Sequence, residues 1–451
     1  MTLTTAQLPL HLLSPPASGS GPGGVLWVGF SGGLDSTVLL HWLLQQKPQW
    51  PVRAIYVNHG LSGNADLWQR HCQQFCRALK VTLEVAPVVL DPAASNLESL
   101  AREARFNAFA QRLGPNDVLL LAHHQDDQAE TLLYRLLRGA GVRGMGAMAP
   151  GRKLGAGSLY RPLLRVNRAE LEAYAQRHGL NWVEDESNTD VRFDRNYLRQ
   201  RVLPVLRQRW PAAAKSLADS AELSRHSDEL LREYAATELA GLAERPEPLG
   251  FSLPLAPLAA MTGPRRYNIL RYWLELRFTQ LPSRNALAEI DGQLLTEPGR
   301  ANAEVVTGAV SVQRFGPRLY ALARHQLWQP EPQQAVVIWH NTTAPLVLPG
   351  GDRLSLQPAS GAGIAQQWLQ GELSVAWRRG GERCQPVGRK HSQTLKKLLQ
   401  EQQVPNWLRA RVPLLYIDGE LAAVADYWVC QRFAAAPDAQ GWVCHWHWPE
   451  A

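Results

Sequence analysis

Six consecutive residues have the side chains and spacing of a loop that binds phosphate groups: Ser31, Gly32, Gly33, Leu34, Asp35 and Ser36. Paired glycines let a backbone approach an anion closely, and the free amides at a helix start can face that anion. A carboxylate in an anion site calls for a cation between the two charges, so we expect Asp35 to hold Mg²⁺. The alternative is an ordinary strand-to-helix turn whose Asp and Ser cap the helix.

A second group of chemically active residues lies between His123 and Thr131, where the sequence reads His-His-Gln-Asp-Asp-Gln-Ala-Glu-Thr. If a helix begins there, His123, Asp127 and Glu130 fall on one face, at positions i, i+4 and i+7. Like charges on one face repel each other, so we expect Mg²⁺ or an amine substrate beside them. The alternative is an acidic helix N-terminus that the helix dipole favours.

Both groups follow strands of an alternating pattern of strands and helices. Apolar runs and their periodicity predict strands at 25–30, 52–57, 81–85 and 118–122, and helices at 37–44, 65–79, 97–113, 126–138 and 166–178. This alternation predicts a doubly wound α/β fold, an open parallel sheet covered on both faces. Such sheets bind ligands at the carboxyl ends of their strands, where both groups are expected.

The pattern changes near residue 213, and we expect a multi-domain protein with domains at 1–213, 214–325 and 335–451. A long helix at 212–243 opens a mainly helical middle domain, which closes with a hairpin around 305–312 and 319–322. Gln- and Pro-rich residues 326–334 predict a linker, and a small α+β domain follows with one helix near 392–402. Asn167 is expected to cap the 166–178 helix, and the glycine-rich stretch 139–157 to be mobile.

The charge of the chain permits a polyanionic partner, since its formal net charge is +7. Residues 377–412 hold nine basic side chains against two acidic ones; the nine are Arg378, Arg379, Arg383, Arg389, Lys390, Lys396, Lys397, Arg409 and Arg411. The alternative interpretation of this cluster is a solvated helix face.

Other classes of protein are disfavoured by composition. No run approaches the ~20 apolar residues of a membrane-spanning helix, and the first thirty residues lack the pattern of an export signal, so we expect a cytoplasmic protein. Five cysteines without a C-x-x-C pair argue against a disulfide framework and against a zinc or iron–sulfur site. Cys72 and Cys76 are expected to be buried as small apolar residues.

The loop at 31–36 resembles the pyrophosphate-binding loop of the N-type ATP pyrophosphatases, whose fold is adenine nucleotide alpha hydrolase-like. The string at 123–131 is similar to the signature of one family in that class, the tRNA(Ile)-lysidine synthetases. Further similar segments follow in the same order along nearly the whole chain, at 57–61, 98–106, 136–141, 161–164, 184–188, 195–199, 264–266, 282–284, 395–399 and 404–409.

The resemblance implies a ligase that consumes ATP in two steps. ATP adenylates the C2 carbonyl oxygen of the wobble cytidine in an isoleucine tRNA with a CAU anticodon. The ε-amine of free L-lysine then displaces AMP and forms lysidine, which changes decoding from AUG to AUA. A homodimer is a possible assembly.

The resemblance also implies roles for individual residues. The 31–36 loop, with Asn58 and His59, binds ATP. Asp127 and Glu130 hold the lysine ammonium group, and one of them takes its proton. His123 orients the acidic pair or the triphosphate.

Further roles concern charge on the substrates. Arg195 or Arg199 neutralises charge at the α-phosphate, unless these arginines contact the phosphate backbone or pair with Glu184 or Asp185. The residues expected to bind tRNA are Arg389, Lys390, Lys396, Lys397 and Arg409. Trp407 either stacks on a base or packs in a core.

Two rival functions are considered. A tRNA thiolase on the same fold commonly has a C-x-x-C pair or a cysteine near the site, often with Lys where Leu34 stands, and this sequence has neither. A non-catalytic tRNA-binding protein with a relic nucleotide loop would have no reason to keep both strings intact.

Overall fold

The computed structural model describes residues 3, 6–8, 24–60, 63–91, 97–184, 186, 190–296, 303–327 and 336–448. The chain divides into two compact units, 1–230 and 231–451, which are described separately below. The finer division into three domains stays a prediction. Among the described residues, no helix is long and apolar enough to cross a membrane.

The first unit contains a sheet whose described strands are β1 (Leu26–Gly29), β2 (Val52–Asn58), β3 (Thr82–Pro87), β4 (Val118–Leu120), β5 (Gly151–Leu154) and β6 (Gly157–Tyr160). Their order across the sheet is β3-β2-β1-β4-β6-β5. The pairs β1–β2, β2–β3, β1–β4 and β4–β6 are parallel, and β5 runs antiparallel to β6. The expected parallel sheet is confirmed.

Helices cover both faces of this sheet. Those preceding residue 180 are α1 (Leu34–Gln45), α2 (Ala65–Ala78), α3 (Leu97–Ala110), α4 (Gln125–Leu137), α5 (Val142–Met145) and α6 (Arg168–Arg177). Because side chains alternate along a strand, Leu26 and Val28 of β1 pack in one core with α1, α2 and α6. Trp27 packs in a second core with Phe109 of α3. The doubly wound fold is therefore confirmed.

The connections reverse direction beside β1. The chain leaves β1 towards β2 and β3 on one side, while β4 pairs with β1 on the other side. Loops that diverge from two adjacent parallel strands leave a crevice between them, and open α/β sheets bind ligands at such points. The two chemically active groups follow β1 and β4, so the topology places both of them at this crevice.

The glycine-rich stretch 139–157 was expected to be mobile, but it forms regular structure. It contains α5 and most of the β5–β6 hairpin. Gly155 turns the hairpin at φ +56°, and a Cβ there would lie 2.5 Å from the carbonyl oxygen of Ala110. Glycine is therefore required for the turn and for its close approach to α3.

After α6 the chain forms a helical run that supplies arginines to the crevice. It consists of α7 (Asp194–Tyr197), a π-helical turn at Leu198–Val202, α8 (Leu203–Arg209) and the long helix α9 (Ala213–Ala240). The cap predicted for α6 is confirmed: the Asn167 side chain accepts from the Glu170 amide at 2.9 Å, and the Glu170 carboxylate accepts from the Asn167 amide at 2.9 Å.

The second unit contains the expected helices, α10 (Leu255–Ala260), α11 (Gly263–Phe278) and α12 (Arg284–Glu289). It also contains an antiparallel sheet larger than the predicted hairpin, with strands β7 (Arg245–Glu247), β8 (Gly250–Pro254), β9 (Glu304–Thr307), β10 (Val310–Phe315) and β11 (Arg318–Ala323) in the order β7-β8-β11-β10-β9. The segment 305–312 is itself a hairpin, which turns at Gly308 with φ +54°.

The rest of this unit is a small α+β structure, as expected. Its larger described sheet consists of β12 (Val337–Ile338), β16 (Leu373–Trp377), β19 (Pro413–Ile417), β20 (Glu420–Val424) and β21 (Trp428–Val429). A second sheet contains β13 (Leu346–Val347), β14 (Arg353–Ser360), β15 (Ile364–Ala365) and β22 (Gln440–His447), and β17 (Arg383–Cys384) pairs with β18 (Gln393–Thr394). The helices are α13 (Leu395–Glu401) and α14 (Asn406–Arg409).

Candidate active site

The 31–36 loop joins β1 to the N-terminus of α1. The Ser36 hydroxyl donates to the carbonyl of Gly33 at 3.1 Å and accepts from the amide of Ser31 at 3.2 Å. Gly32 has φ +80°, and a Cβ there would lie 2.9 Å from Sγ of Cys72, so only glycine fits. No described side chain caps α1. The amides of its first turn are therefore free for an anionic ligand.

Asp35 points its carboxylate from the first turn of α1 towards two cationic or donor groups. The guanidinium of Arg168 donates to Oδ1 at 2.8 Å, and Nε2 of His124 lies 3.7 Å from Oδ2. Burial raises the pKa of this carboxyl above its ordinary value, although His124 and Arg168 act to lower it. A desolvated carboxylate with this raised pKa gains from an added cation.

His124 is the N-cap of α4 and is 2% exposed. Its Nδ1 accepts from the amide of Asp126 at 3.3 Å, and its own amide donates to Oδ2 of Asp127 at 2.9 Å. Because Nδ1 accepts a hydrogen bond from a backbone amide, Nε2 is the ring nitrogen that carries a proton. That atom lies 3.6 Å from Oδ2 of Asp127 as well as 3.7 Å from Oδ2 of Asp35. His124 thus connects the two groups that the sequence singled out.

Asp127 and Glu130 form a network with two arginines. Oδ1 of Asp127 accepts from Arg195 at 3.2 Å and from Arg199 at 3.0 Å. Glu130, which is 0% exposed, accepts from Arg195 at 3.1 Å and from Arg199 at 2.6 and 2.9 Å. Burial acts to raise the pKa of Asp127, but His124 and Arg195 outweigh it and hold that pKa below its ordinary value. The Asp127 carboxylate is therefore ionised, and the two arginines lie against both acidic side chains.

The sequence left open whether Arg195 and Arg199 pair with acidic residues, and this network shows which ones they contact. Both arginines pair with α4, and no ion pair between either of them and Glu184 occurs in the described structure. Asp185 lies outside the described residues. Arg199 is 39% exposed at its side chain, so one edge of its guanidinium still faces solvent and can meet a substrate.

His123 lies at the end of β4, next to His124, and does not share the same partners. Its Nδ1 accepts from Nε of Arg161 at 3.2 Å. Burial lowers the pKa of His123 to about 3, so the ring is neutral. His123 precedes the N-cap of α4, so it does not share the helix face that the spacing predicted for it; Asp127 and Glu130 do lie on that helix, and the charge of Asp127 still reaches His123.

Asn58 and His59 follow β2, which is parallel to β1, so they lie at the same edge of the sheet as the 31–36 loop. Asn58 shapes the turn, since its Oδ1 accepts from the amide of Gly60 at 2.9 Å and its Nδ2 donates to Gln69 at 3.1 Å. Nδ1 of His59 is buried without a hydrogen-bond partner among the described residues. Such an atom is available to a ligand.

The basic cluster of the second unit separates into exposed and structural residues. Lys390, Lys396 and Lys397 are exposed, and Arg389 pairs with Glu401 at 2.7 Å. Arg409 is half-buried and donates to the carbonyl of Val404 at 2.7 Å.

Two other residues of this cluster belong to the core. Arg411 is 1% exposed and pairs with buried Asp352, with Nε to Oδ2 at 2.8 Å. The ring of Trp407 packs edge-on against Phe315 and Tyr320, with centroids 5.9 and 5.0 Å apart. Trp407 therefore takes the core-packing role that the sequence left as an alternative to stacking on a base.

Several site residues were missed by sequence reasoning. Arg168 pairs with Asp35, Arg161 with His123, and Arg207 with Asp126. Each arginine comes from a segment 38 to 133 residues away from its partner. Two signals were available: the N-cap of α6 at Asn167, which fixes the position of Arg168 in the first helical turn, and the family-like segment 161–164, which contains Arg161.

The cysteines near the loop lack the properties of a catalytic thiol. Cys72 and Cys76 are 0% and 1% exposed. Burial raises the pKa of each thiol to about 12, so neither forms the thiolate that acts as a nucleophile. They are buried small residues, as expected.

The residues around the loop fit one bound Mg²⁺ with a single protein ligand. No cluster of three or more metal-ligating side chains occurs in the described part of the chain. Mg²⁺ bound to nucleotides uses one or two carboxylates and takes its remaining ligands from phosphates and water. Asp35, desolvated beside free helix amides, has the chemistry for that single ligand.

Comparison with known proteins first defines the class of this chain. The family model described as the PP-loop domain matches residues 13–206, which contain the 31–36 loop, the acidic helix α4 and the arginines Arg195 and Arg199. Models described as the TilS substrate binding domain and the TilS substrate C-terminal domain match residues 253–320 and 373–448. The chain thus has a PP-loop domain followed by segments that match two further TilS domain models.

Curated relatives then define the family. The tRNA(Ile)-lysidine synthase of Coxiella burnetii is 40% identical over 422 residues, which are 92% of this chain and 91% of that protein. The tRNA(Ile)-lysidine synthase of Pseudomonas syringae pv. tomato is 45% identical over 408 residues, 89% of this chain and 88% of that protein. The chain belongs to the tRNA(Ile)-lysidine synthase family.

A solved structure, the U34-tRNA thiolase NcsA from Methanococcus maripaludis, is 18% identical with a TM-score of 0.40 and covers 49% of this chain and 76% of that one. A likeness at this level supports no functional conclusion.

Proposed function

We propose that this chain joins free L-lysine to C2 of the wobble cytidine in an isoleucine tRNA with a CAU anticodon. In the first step the C2 carbonyl oxygen attacks the α-phosphorus of ATP, and pyrophosphate leaves. In the second step the ε-amine of lysine attacks C2, and AMP leaves. The observation that carries the proposal is that Asp35 of the loop and Asp127 of α4 both face Nε2 of His124, within a chain of this family.

The 31–36 loop would bind the pyrophosphate portion of ATP. The free amides of the first turn of α1 and the dipole of a twelve-residue helix favour an anion there. Nδ1 of His59, which is buried and has no hydrogen-bond partner in the described part of the chain, would accept a hydrogen bond from the nucleotide. Asn58 would hold the adjacent turn. Mg²⁺ on Asp35 would supply neutralisation of phosphate charge.

Arg195 and Arg199 would stabilise charge that develops at the α-phosphate. Preorganised cations are effective because they need no reorganisation during the reaction. Asp127 and Glu130 hold both guanidinium groups through five hydrogen bonds, which fixes where the free edges point. In this role the carboxylates position the arginines.

The same carboxylates would also attract the lysine ammonium group. In the described structure two arginines already offset their two charges, so lysine must share Asp127 or Glu130 with an arginine. Since only the free amine is a nucleophile, one of these two acidic side chains would receive its proton. Basic side chains of the second unit would contact the tRNA backbone. They are the exposed Lys390, Lys396 and Lys397, together with Arg389 and Arg409.

The experiment that tests the function supplies ATP, Mg²⁺ and radiolabelled lysine to the full chain with the isoleucine tRNA. We expect label in the RNA and release of AMP and pyrophosphate. The methionine tRNA with the same anticodon serves as the negative control. In the cell we place this reaction in the cytoplasm, where these tRNAs are found. Label that enters neither tRNA would contradict the proposal, and incorporation of sulfur from an added donor would favour the thiolase alternative.

A further inference from the structure

Arg161 is a buried arginine whose partners carry no negative charge. It follows β6 and is 5% exposed. Its Nε donates to Nδ1 of His123 at 3.2 Å, and its Nη1 donates to the carbonyl of Ala149 at 2.7 Å. No ion pair between Arg161 and a carboxylate occurs in the described part of the chain, and burial, followed by the nearby cations Arg152, Arg102 and Arg135, lowers its pKa. Burial of a cation without an acidic partner is costly, which points to a role other than stability.

The contact with Arg161 fixes the chemical form of His123. A guanidinium nitrogen in a protein always carries its protons, so it acts only as a donor. The Nδ1 atom that receives this hydrogen bond is therefore an unprotonated acceptor. In the neutral ring the proton must then lie on Nε2, which makes Nε2 a donor.

The charges around His123 keep the ring in this neutral form. The groups that face it are Asp127 of α4, Arg161 after β6, Arg195 of α7 and Arg102 of α3. Burial and the three arginines oppose a positive charge on the ring and outweigh the attraction of Asp127, which is why the pKa of His123 falls to about 3. The Nε2–H group of neutral His123, surrounded by these arginines, can donate a hydrogen bond to an anionic oxygen.

We propose that Arg161 is a positioning residue that holds His123 as a neutral Nε2–H donor, and that this group donates to a phosphate oxygen of a bound substrate. The second clause rests on the proposed function, whereas the first does not. The phosphate belongs either to ATP or to the tRNA, and the two sources are separated by the binding measurements described below.

Nitrogen NMR of the histidine side chains in the full chain tests the first clause. We expect His123 to show a protonated Nε2 and an unprotonated Nδ1, with no titration across the neutral range. In Arg161→Leu the loss of one cation and one donor should move the pKa of His123 up towards its ordinary value of about 6.5. A protonated Nδ1 in the wild type, or a wild-type ring that titrates near neutrality, would overturn the proposal.

Two substitutions of His123 test the second clause. The amide nitrogen of Gln reaches the position of Nε2, whereas that of Asn reaches the position of Nδ1. We expect His123→Gln to keep near-normal substrate affinity and His123→Asn to weaken it about tenfold, the effect of one hydrogen bond to a charged group. Equal losses in both variants would contradict a donor role for Nε2.

The affected ligand identifies the phosphate. A higher Kd for ATP measured without tRNA assigns the oxygen to the nucleotide, and a higher Kd for tRNA measured without ATP assigns it to the RNA. Arg165→Gln is the matched control, because Arg165 is an exposed arginine of the same segment that pairs with Glu222, and it should change neither Kd. Failure of lysine transfer by the wild type would contradict the proposed function but leave the NMR result valid.

Discussion

The carboxylates of Asp35 and Asp127 face the same ring nitrogen, since their Oδ2 atoms lie 3.7 and 3.6 Å from Nε2 of His124. The two residues are ninety-two positions apart in the sequence and begin different helices. Their meeting follows from the pairing of β1 with β4, which brings the ends of the two strands together. A single nucleotide can therefore contact the loop and the acidic helix at once.

Asp35→Asn should abolish ATP–pyrophosphate exchange in the presence of tRNA while leaving the Kd for tRNA unchanged. The substitution keeps the shape of the side chain but removes the charge that would hold Mg²⁺. Glu172→Gln is the control, because Glu172 contacts the same arginine, Arg168, from an exposed position. Exchange at near-normal rate in Asp35→Asn would exclude Asp35 from the reaction.

Glu130→Gln should lower the free energy of unfolding by roughly 1.5–3 kcal/mol, the range for hydrogen bonds to charged groups. It leaves Arg195 and Arg199 with Asp127 as their remaining carboxylate. Because their guanidinium groups would no longer be fixed, kcat should fall more than KM for ATP rises. Denaturant unfolding and steady-state kinetics measure the two effects, and a variant with wild-type kcat would show that the positions of these arginines do not matter.

The stability that Asp127 contributes should depend on pH in a predictable direction. Its folded-state pKa is lowered, so its carboxylate stabilises the fold above the unfolded pKa of about 3.9, and this contribution is lost as pH falls towards the folded pKa. The difference in unfolding free energy between wild type and Asp127→Asn should be constant from neutral pH down to about 4 and should shrink below that. A difference in unfolding free energy that grows on acidification would show that the folded-state pKa of Asp127 is raised and not lowered.

Lys396→Ala should affect tRNA binding and Arg411→Ala should affect folding stability, although both residues lie in one basic cluster. Lys396 is exposed, so its loss should weaken tRNA binding and reduce the salt dependence of log K by about 0.7–0.9, the effect of one phosphate contact. Arg411 is buried against Asp352, and removing it should destabilise the second unit by about 3–5 kcal/mol. Equal unfolding free energies in the two variants would contradict this assignment.

The sequence predicted the sheet and its helices well because their signals are local. Apolar runs located β1 to β4 within three residues at each end, and Asn167 located the start of α6. Helix α1 begins at Leu34, three residues before the prediction, because the loop residues Leu34 to Ser36 form its first turn. Apolar periodicity does not mark a turn that starts with polar ligand-binding residues.

The partners of the site residues could not be predicted in the same way. Helical spacing placed Asp127 and Glu130 on one face, but the arginines that neutralise them are 65 to 72 residues further along the chain. Likewise, the composition of the basic cluster could not separate Arg411 from the exposed lysines, because burial depends on the packing of β14 and β22 around Asp352.

The π-helical turn at Leu198–Val202 makes the geometry of the site sensitive to chain length as well as to residue type. A π-turn holds one residue more than an α-turn, and each residue of a helix accounts for about 100° of rotation. Removing one residue between Leu198 and Val202 would let the helix run on as a regular α-helix. Because the wide turn already accommodates the extra residue, Arg195 and Arg207 on either side of it would keep their orientations. Arg199 lies within the turn and would shift away from Glu130, so deletion of Gln200 would loosen one arginine of the site without changing its composition.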